Sequence, residues 1–195
     1  MLADSNIGRL LIRLSLPATI GMFAMAMYNL VDTIFVGRSV GTLGIAGIAI
    51  VFPFQMLVLA TGQLVGIGGA SLISRSIGAN DFRQANQALG NIYSLVLLLG
   101  IVIAGAGILL MDPLLKIFGA TAEILPYSRD YMSIILLGTA FFLFLISSNS
   151  IIRAEGRAKI AMGTMLVSAG MNIILDPIFI FVLKMGVKGA AIATV

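Results

Sequence analysis

From Ser39 to Ser74 the chain runs for 36 residues without one charged side chain. As a helix such a run would extend about 54 Å, well beyond the ~30 Å hydrocarbon core of a bilayer. Too short for two spans and a turn, it reads as one span beginning near Ile45 and ending near Ser74, with extra turns standing past the lipid and Pro53 as a bend point. The rest of the chain repeats the theme. Leu14–Val36 carries only Asp32, and Ile160–Leu183 carries only Asp176. Asn91–Met111 and Tyr131–Ile152 supply two further runs, and Gly189–Val195 opens a sixth. Charged residues make up 10% of the sequence, against about a quarter in soluble domains, so the fold class is an all-α integral membrane protein.

The same composition excludes much chemistry. With no Cys and no His, thiol catalysis, disulfides, imidazole metal sites and His proton relays are all ruled out. No nucleophile–base pair stands out, so the chain reads as no enzyme, and no cofactor is expected. The net charge of +4 sits mostly in connecting segments and forms no basic face, so no nucleic acid is expected as a partner. Residues 1–13 form a short amphipathic lead-in that could lie on the membrane surface. Arg75–Gln87 reads as a polar loop and Asp112–Asp130 as a longer connection. A cytoplasmic N-terminus places seven Lys/Arg inside and five outside, the favoured orientation. Seven residues cannot cross a bilayer, so the sixth segment reads as truncated and the chain as a fragment.

An intramembrane acid is costly and faces a cavity or a partner. Asn172 precedes Asp176 by four residues and shares its helix face, while Pro177 cannot donate to the Ile173 carbonyl. Carboxylate, amide and carbonyl together could seat a proton or a small hard cation. They could equally belong to a kinked helix whose Asp only pairs with a neighbour. Around Asp32, Tyr28 and Asn29 occupy one face. Counting from the outer helix ends, Asp32, Asp176 and Thr194 fall roughly 6, 10 and 8 Å deep, and Tyr131 sits at the outer end of its helix. Four elements thus bring polar groups to one layer. Two acids meeting there would favour one shared proton, or a bound Na⁺. Gly100, Gly105 and Gly107 permit close helix approach, and Ser147–Ser150 either line a pathway or bridge helices. Met22, Met25 and Met27 line an apolar pocket or face lipid.

Several blocks together resemble the multidrug and toxic compound extrusion (MATE) family: Pro17, Tyr28-Asn29-Leu-Val-Asp32-Thr-Ile-Phe-Val-Gly37, Ser74-Arg-Ser-Ile-Gly78, Arg153-Ala-Glu-Gly156, and Asn172-x-x-x-Asp176-Pro177. The similarity is greatest to its prokaryotic branch with DNA-damage-inducible members. The resemblance implies a twelve-helix transporter of two lobes, of which residues 1–195 would be the six-helix N-terminal lobe, with the C-terminal lobe as its missing partner. It further implies export of small cationic or amphipathic substrates in exchange for H⁺ or Na⁺, in the inner membrane of a prokaryote. Carried onto this chain, the cation site is Asp32 and Asp176 with Asn172 and Thr194, whether for H⁺ or as a Na⁺ site. Tyr28, Tyr131 and Asn149 match cavity positions, although Asn149 lies too near the inner end by depth. Pro17 matches a proline where helix 1 bends. A lipid-linked sugar flippase of the same superfamily is the alternative, for which basic cavity residues would be expected, and an inactive fragment or assembly subunit is the third reading.

Overall fold

The computed structural model describes residues 7–195, excluding the side chains of Ile7, Arg9, Leu10, Leu11, Arg13 and Leu14. The amphipathic lead-in therefore lies largely outside the described residues. Its described backbone belongs to α1 (Ile7–Ser39), which continues without a break through Pro17. Six more α-helices follow: α2 (Thr42–Gly78), α3 (Phe82–Leu109), α4 (Met111–Ile117), α5 (Leu125–Ala154), α6 (Ala158–Pro177) and α7 (Val187–Thr194). A π-helical turn, Ile178–Val182, extends α6. Among the described residues, five segments are long and apolar enough to cross a membrane.

From Thr42 onward the charge-free run is one helix with Pro53 inside it, while Ser39 ends α1 and residues 40–41 form the turn between the two. The helices exceed their apolar cores, however. The expected polar loop at 75–87 shrinks to a three-residue turn, 79–81, because both flanking helices continue past the apolar layer until something caps them. Asn80 adopts φ 59, its N–H bonding the Ile77 carbonyl at 3.0 Å. Asp81 then accepts from the Gln84 N–H at 2.9 Å and caps α3. The 112–130 connection likewise contains most of α4 and the start of α5, which begins at Leu125 with Pro126 in its preferred early position. Gly41, at φ 83, supplies the left-handed turn between α1 and α2.

Helix α5 stands at the centre. It packs against α2 and α3 along their lengths and against α4, α6 and α7, while α1 pairs chiefly with α6. Lipid tails are as apolar as Leu, so small residues and hydrogen bonds rather than hydrophobicity hold such a bundle together. A Cβ on Gly100 of α3 would lie 2.6 Å from the Ala140 Cα of α5, so the two backbones meet there. Gly107 is similarly closed by Leu136, whereas Gly105 faces open space. Ser147 donates to the Gly62 carbonyl at 3.2 Å and Ser148 to the Tyr93 hydroxyl at 3.3 Å. For these two serines the helix-bridging reading holds. At the end that holds the α1–α2 turn, Asp112 takes both an Nε bond (3.0 Å) and an ion pair from Arg129, and Lys188 reaches Asp130 at 3.3 Å.

Candidate functional site

With α1 on α6 and α2 on α5, contact between α1 and α2 is slight, and a cleft opens between the two pairs. It encloses a cavity of about 730 Å³ whose walls come from α1, α2, α5 and the end of α7. Helix α1 presents Met25, Tyr28, Asn29, Asp32 and Thr33, residues a turn apart on one face. Helix α2 contributes Phe52, Gln55 and Met56, α5 contributes Tyr131, Thr139 and Phe142, and α7 contributes Thr194. The wall is mostly apolar and aromatic, with a few convergent polar groups and no Lys or Arg among the described residues that line it.

Of the groups expected at one depth, Asp32, Tyr131 and Thr194 do meet at this cavity, together with Tyr28 and Asn29. The Tyr131 hydroxyl accepts from Gln55 Nε2 at 3.4 Å and has the Thr194 side chain beside it. Thr194 itself donates to the Ala190 carbonyl at 2.9 Å. Asn29 and Thr33 are tied along their own helix, Asn29 Nδ2 donating to the Met25 carbonyl and Thr33 to the Asn29 carbonyl, each at 2.8 Å. Of the three methionines only Met25 lines the cavity, while Met22 and Met27 point outward.

Asp176 and Asn172 sit elsewhere. Both are buried on α6, 0% and 4% exposed, and neither lines the cavity. They lie behind α1, with the Asp32 carboxylate within electrostatic reach of Asp176 and Tyr28 within reach of both acids. Asp32, 6% exposed, is thus shared between cavity and helix interface. Five side-chain atoms here are buried without a hydrogen-bond partner among the described residues: Asp32 Oδ1, both Asn172 amide atoms and both Asp176 oxygens. Buried polar atoms are paired in the great majority of cases, so the four acceptor oxygens among these orphans, on two adjacent helices, form a concentrated demand for a proton or a cation, while the Asn172 Nδ2 donor needs an acceptor. Among the described residues no cluster of three acids, His or Cys could hold a transition metal. Beyond Pro177, the Ile178 N–H turns to the Leu175 carbonyl and the chain opens into the π turn, a local geometry frequent at functional sites.

Asn149 does not join this group. Its Nδ2 donates to the Ala161 carbonyl and to Thr164 Oγ1, each at 3.0 Å, which bolts α5 to α6. Pro17 is buried within α1. Gln55 and Thr139 were missed in the sequence, although Gln55 is one of only two amide side chains in the 36-residue charge-free run and the same reasoning applied to Asp32 would have found it.

The family model described as MatE matches residues 17–178. Among curated proteins, "Multidrug export protein MepA" of Staphylococcus haemolyticus is 36% identical over 192 residues, 98% of this chain and 42% of that protein. A protein named "FAD transporter" from Shewanella oneidensis is 31% identical over 197 residues, 99% of this chain and 43% of its own length. Among solved structures, a ligand complex of the MATE multidrug transporter DinF-BH is 49% identical with a TM-score of 0.91, covering 96% of this chain and 42% of that one. An outward-facing multidrug resistance MATE family transporter of the MOP superfamily is 38% identical with a TM-score of 0.87, covering 95% and 41%. The chain therefore spans about two fifths of the length of the relatives it matches.

Proposed function

Because this chain belongs to the MatE family, with multidrug export proteins among its relatives, we propose that it forms the N-terminal lobe of an efflux antiporter. Its drive is H⁺ or Na⁺ entering at Asp32 and Asp176, and its cargo is a cationic or amphipathic small molecule held in the cleft. One observation carries this reading: five polar atoms of Asp32, Asn172 and Asp176 lack partners among the described residues, and of these three residues Asp32 alone also lines the cavity. The coupling ion and the cargo then compete for one carboxylate. A cation bound between the helices neutralises Asp32 and removes the charge that holds a cationic drug, and a bound drug disfavours the ion by the same free energy. Thr194 and Tyr131 border the cargo side, and Asn172 borders the ion side. Alternating access requires the cleft to change width, and the bend is assigned to Pro17 of α1, whose contact with α2 across the cleft is slight. The second lobe completes the transporter, and the N-terminus is cytoplasmic by the excess of basic residues on that side.

The absence of Lys and Arg from the described cavity wall favours cationic cargo over a lipid-linked sugar phosphate or an anionic flavin dinucleotide, whose phosphates would need basic partners. The decisive experiment is drug resistance of sensitive cells expressing the transporter that contains this lobe. Asp32→Asn and Asp176→Asn should each abolish resistance while leaving the protein inserted. Full resistance in both variants overturns the assignment.

A further inference from the structure

A hydroxyl carries one proton, and on the wall of the central cavity those protons are already committed. Thr33 donates to the Asn29 carbonyl at 2.8 Å, and Thr194 donates to the Ala190 carbonyl at 2.9 Å. Toward the cavity each therefore presents lone pairs only. Asn29 turns its amide nitrogen onto the Met25 carbonyl at 2.8 Å, and Gln55 turns its own onto the Tyr131 hydroxyl at 3.4 Å. Both amide oxygens are left without a donor among the described residues. Beside them stands Asp32, whose ionised carboxylate only accepts. The donors left over are one N–H on each amide and the phenols of Tyr28 and Tyr131, the last on a residue only 2% exposed. The wall is thus dominated by acceptors.

A cation without N–H groups is recognised differently, by aromatic faces closing around it. Among the described residues the paired rings are Phe35 with Phe181 and Tyr93 with Phe144, and none of these four lines the cavity. Resting on the reading that the cleft holds cationic cargo, we infer that the cargo end seated against Asp32 carries N–H donors, as an ammonium, amidinium or guanidinium does. Each N–H then meets an oxygen of Asp32, Asn29, Thr33, Gln55 or Thr194. A quaternary ammonium keeps the charge but covers the same oxygens with methyl groups, which leaves them with neither water nor partner. Charge admits both kinds of cation, and hydrogen-bond polarity selects between them.

Two probes sharing one fluorophore test this: a dansyl group on a propylammonium chain and the same group on a propyltrimethylammonium chain. They differ only in N–H against N–CH₃, and both are cationic near neutral pH. Anisotropy of each with the purified chain in uncharged detergent, at one pH and ion concentration, gives the affinities. The ammonium should bind about tenfold more tightly, the worth of one charge-assisted hydrogen bond, although the trimethyl head is the more apolar. Asp32→Asn should weaken both probes, and the chain carrying both Thr33→Val and Gln55→Leu should narrow the preference to about threefold. Equal or tighter binding of the trimethyl probe, with both probes still weakened by Asp32→Asn, would overturn the inference and leave the cationic-cargo reading standing. An undiminished preference in the double variant would overturn the assignment to these acceptors. Failure of both probes to bind, or binding indifferent to Asp32→Asn, would overturn the cationic-cargo reading and this inference with it.

Discussion

Gln55 of α2 donates to the hydroxyl of Tyr131 of α5 at 3.4 Å, joining residues 76 positions apart on the wall of the central cavity. This bond fixes a phenol that is 2% exposed, with Thr194 beside it, in a cavity whose wall is mostly apolar. Gln55→Leu should leave the chain folded and change the affinity for a cationic dye by about fivefold, the effect of an interhelical hydrogen bond on the order of 1 kcal/mol. Fluorescence anisotropy of the bound dye measures it, and identical affinities would remove Gln55 from the cargo site.

The two acids should behave as a unit. Carbodiimides label protonated carboxyls in apolar surroundings, so in the purified chain label should fall on Asp32 or Asp176 and vanish in the double Asp→Asn variant. Label requires the proton and is lost as pH rises. Suppression by Na⁺ at fixed pH would identify Na⁺ as the coupling ion, and suppression by alkali alone would identify H⁺. Label found only on Glu123 or Glu155 would contradict the proposed site.

Drug and ion should show reciprocal linkage. Coupling of about 1–3 kcal/mol corresponds to a change of about 5–150-fold in dye affinity between ion-free and ion-saturated protein. Asp32→Asn should erase that difference because Asp32 is the one acid shared by both sites. Titration of the dye at two ion concentrations tests this, and a persistent difference in the variant would place the coupling elsewhere.

Asn149→Ala should cost stability without touching cargo. It removes the two bonds that tie α5 to α6, about 1 kcal/mol together by the measured average for such bonds in membranes. A lowered Tm with unchanged dye affinity is expected, and the reverse would restore Asn149 to the cavity.

Two glycines of α3 provide a packing control. Gly100→Ala should destabilise by about 1–3 kcal/mol, because a Cβ would be 2.6 Å from the Ala140 Cα. Gly105→Ala, which meets nothing within 4 Å, should be neutral or mildly stabilising. Denaturation midpoints in detergent should separate the two.

The membrane architecture was legible because its cause is local. An uncharged run has no stable home but lipid, and lipid permits a spanning segment of this kind only as a helix, so Ser39–Ser74 could be read as one span. Helix ends were misjudged for the complementary reason. Apolar character stops at the headgroups, but a helix stops where its last carbonyls and first N–H groups are capped, as at Asn80 and Asp81. The depths of Asp32, Tyr131 and Thr194 followed from counting 1.5 Å per residue, and they do meet at one cavity.

Sequence alone thus determined the solvent, the number of long spans, the type of every main element and the short set of polar residues able to act inside lipid. Tertiary structure decided how those residues divide. It sent Asp32 to the cavity, left Asn172 and Asp176 behind α1 without partners among the described residues, and spent Asn149 on a helix joint. Rise per residue fixes a side chain's depth along its own axis, whereas its neighbours depend on how each helix is rotated and which others it packs against. That rotation is set by contacts such as Gly100 on Ala140, which join residues far apart in the chain and leave no periodic trace in it.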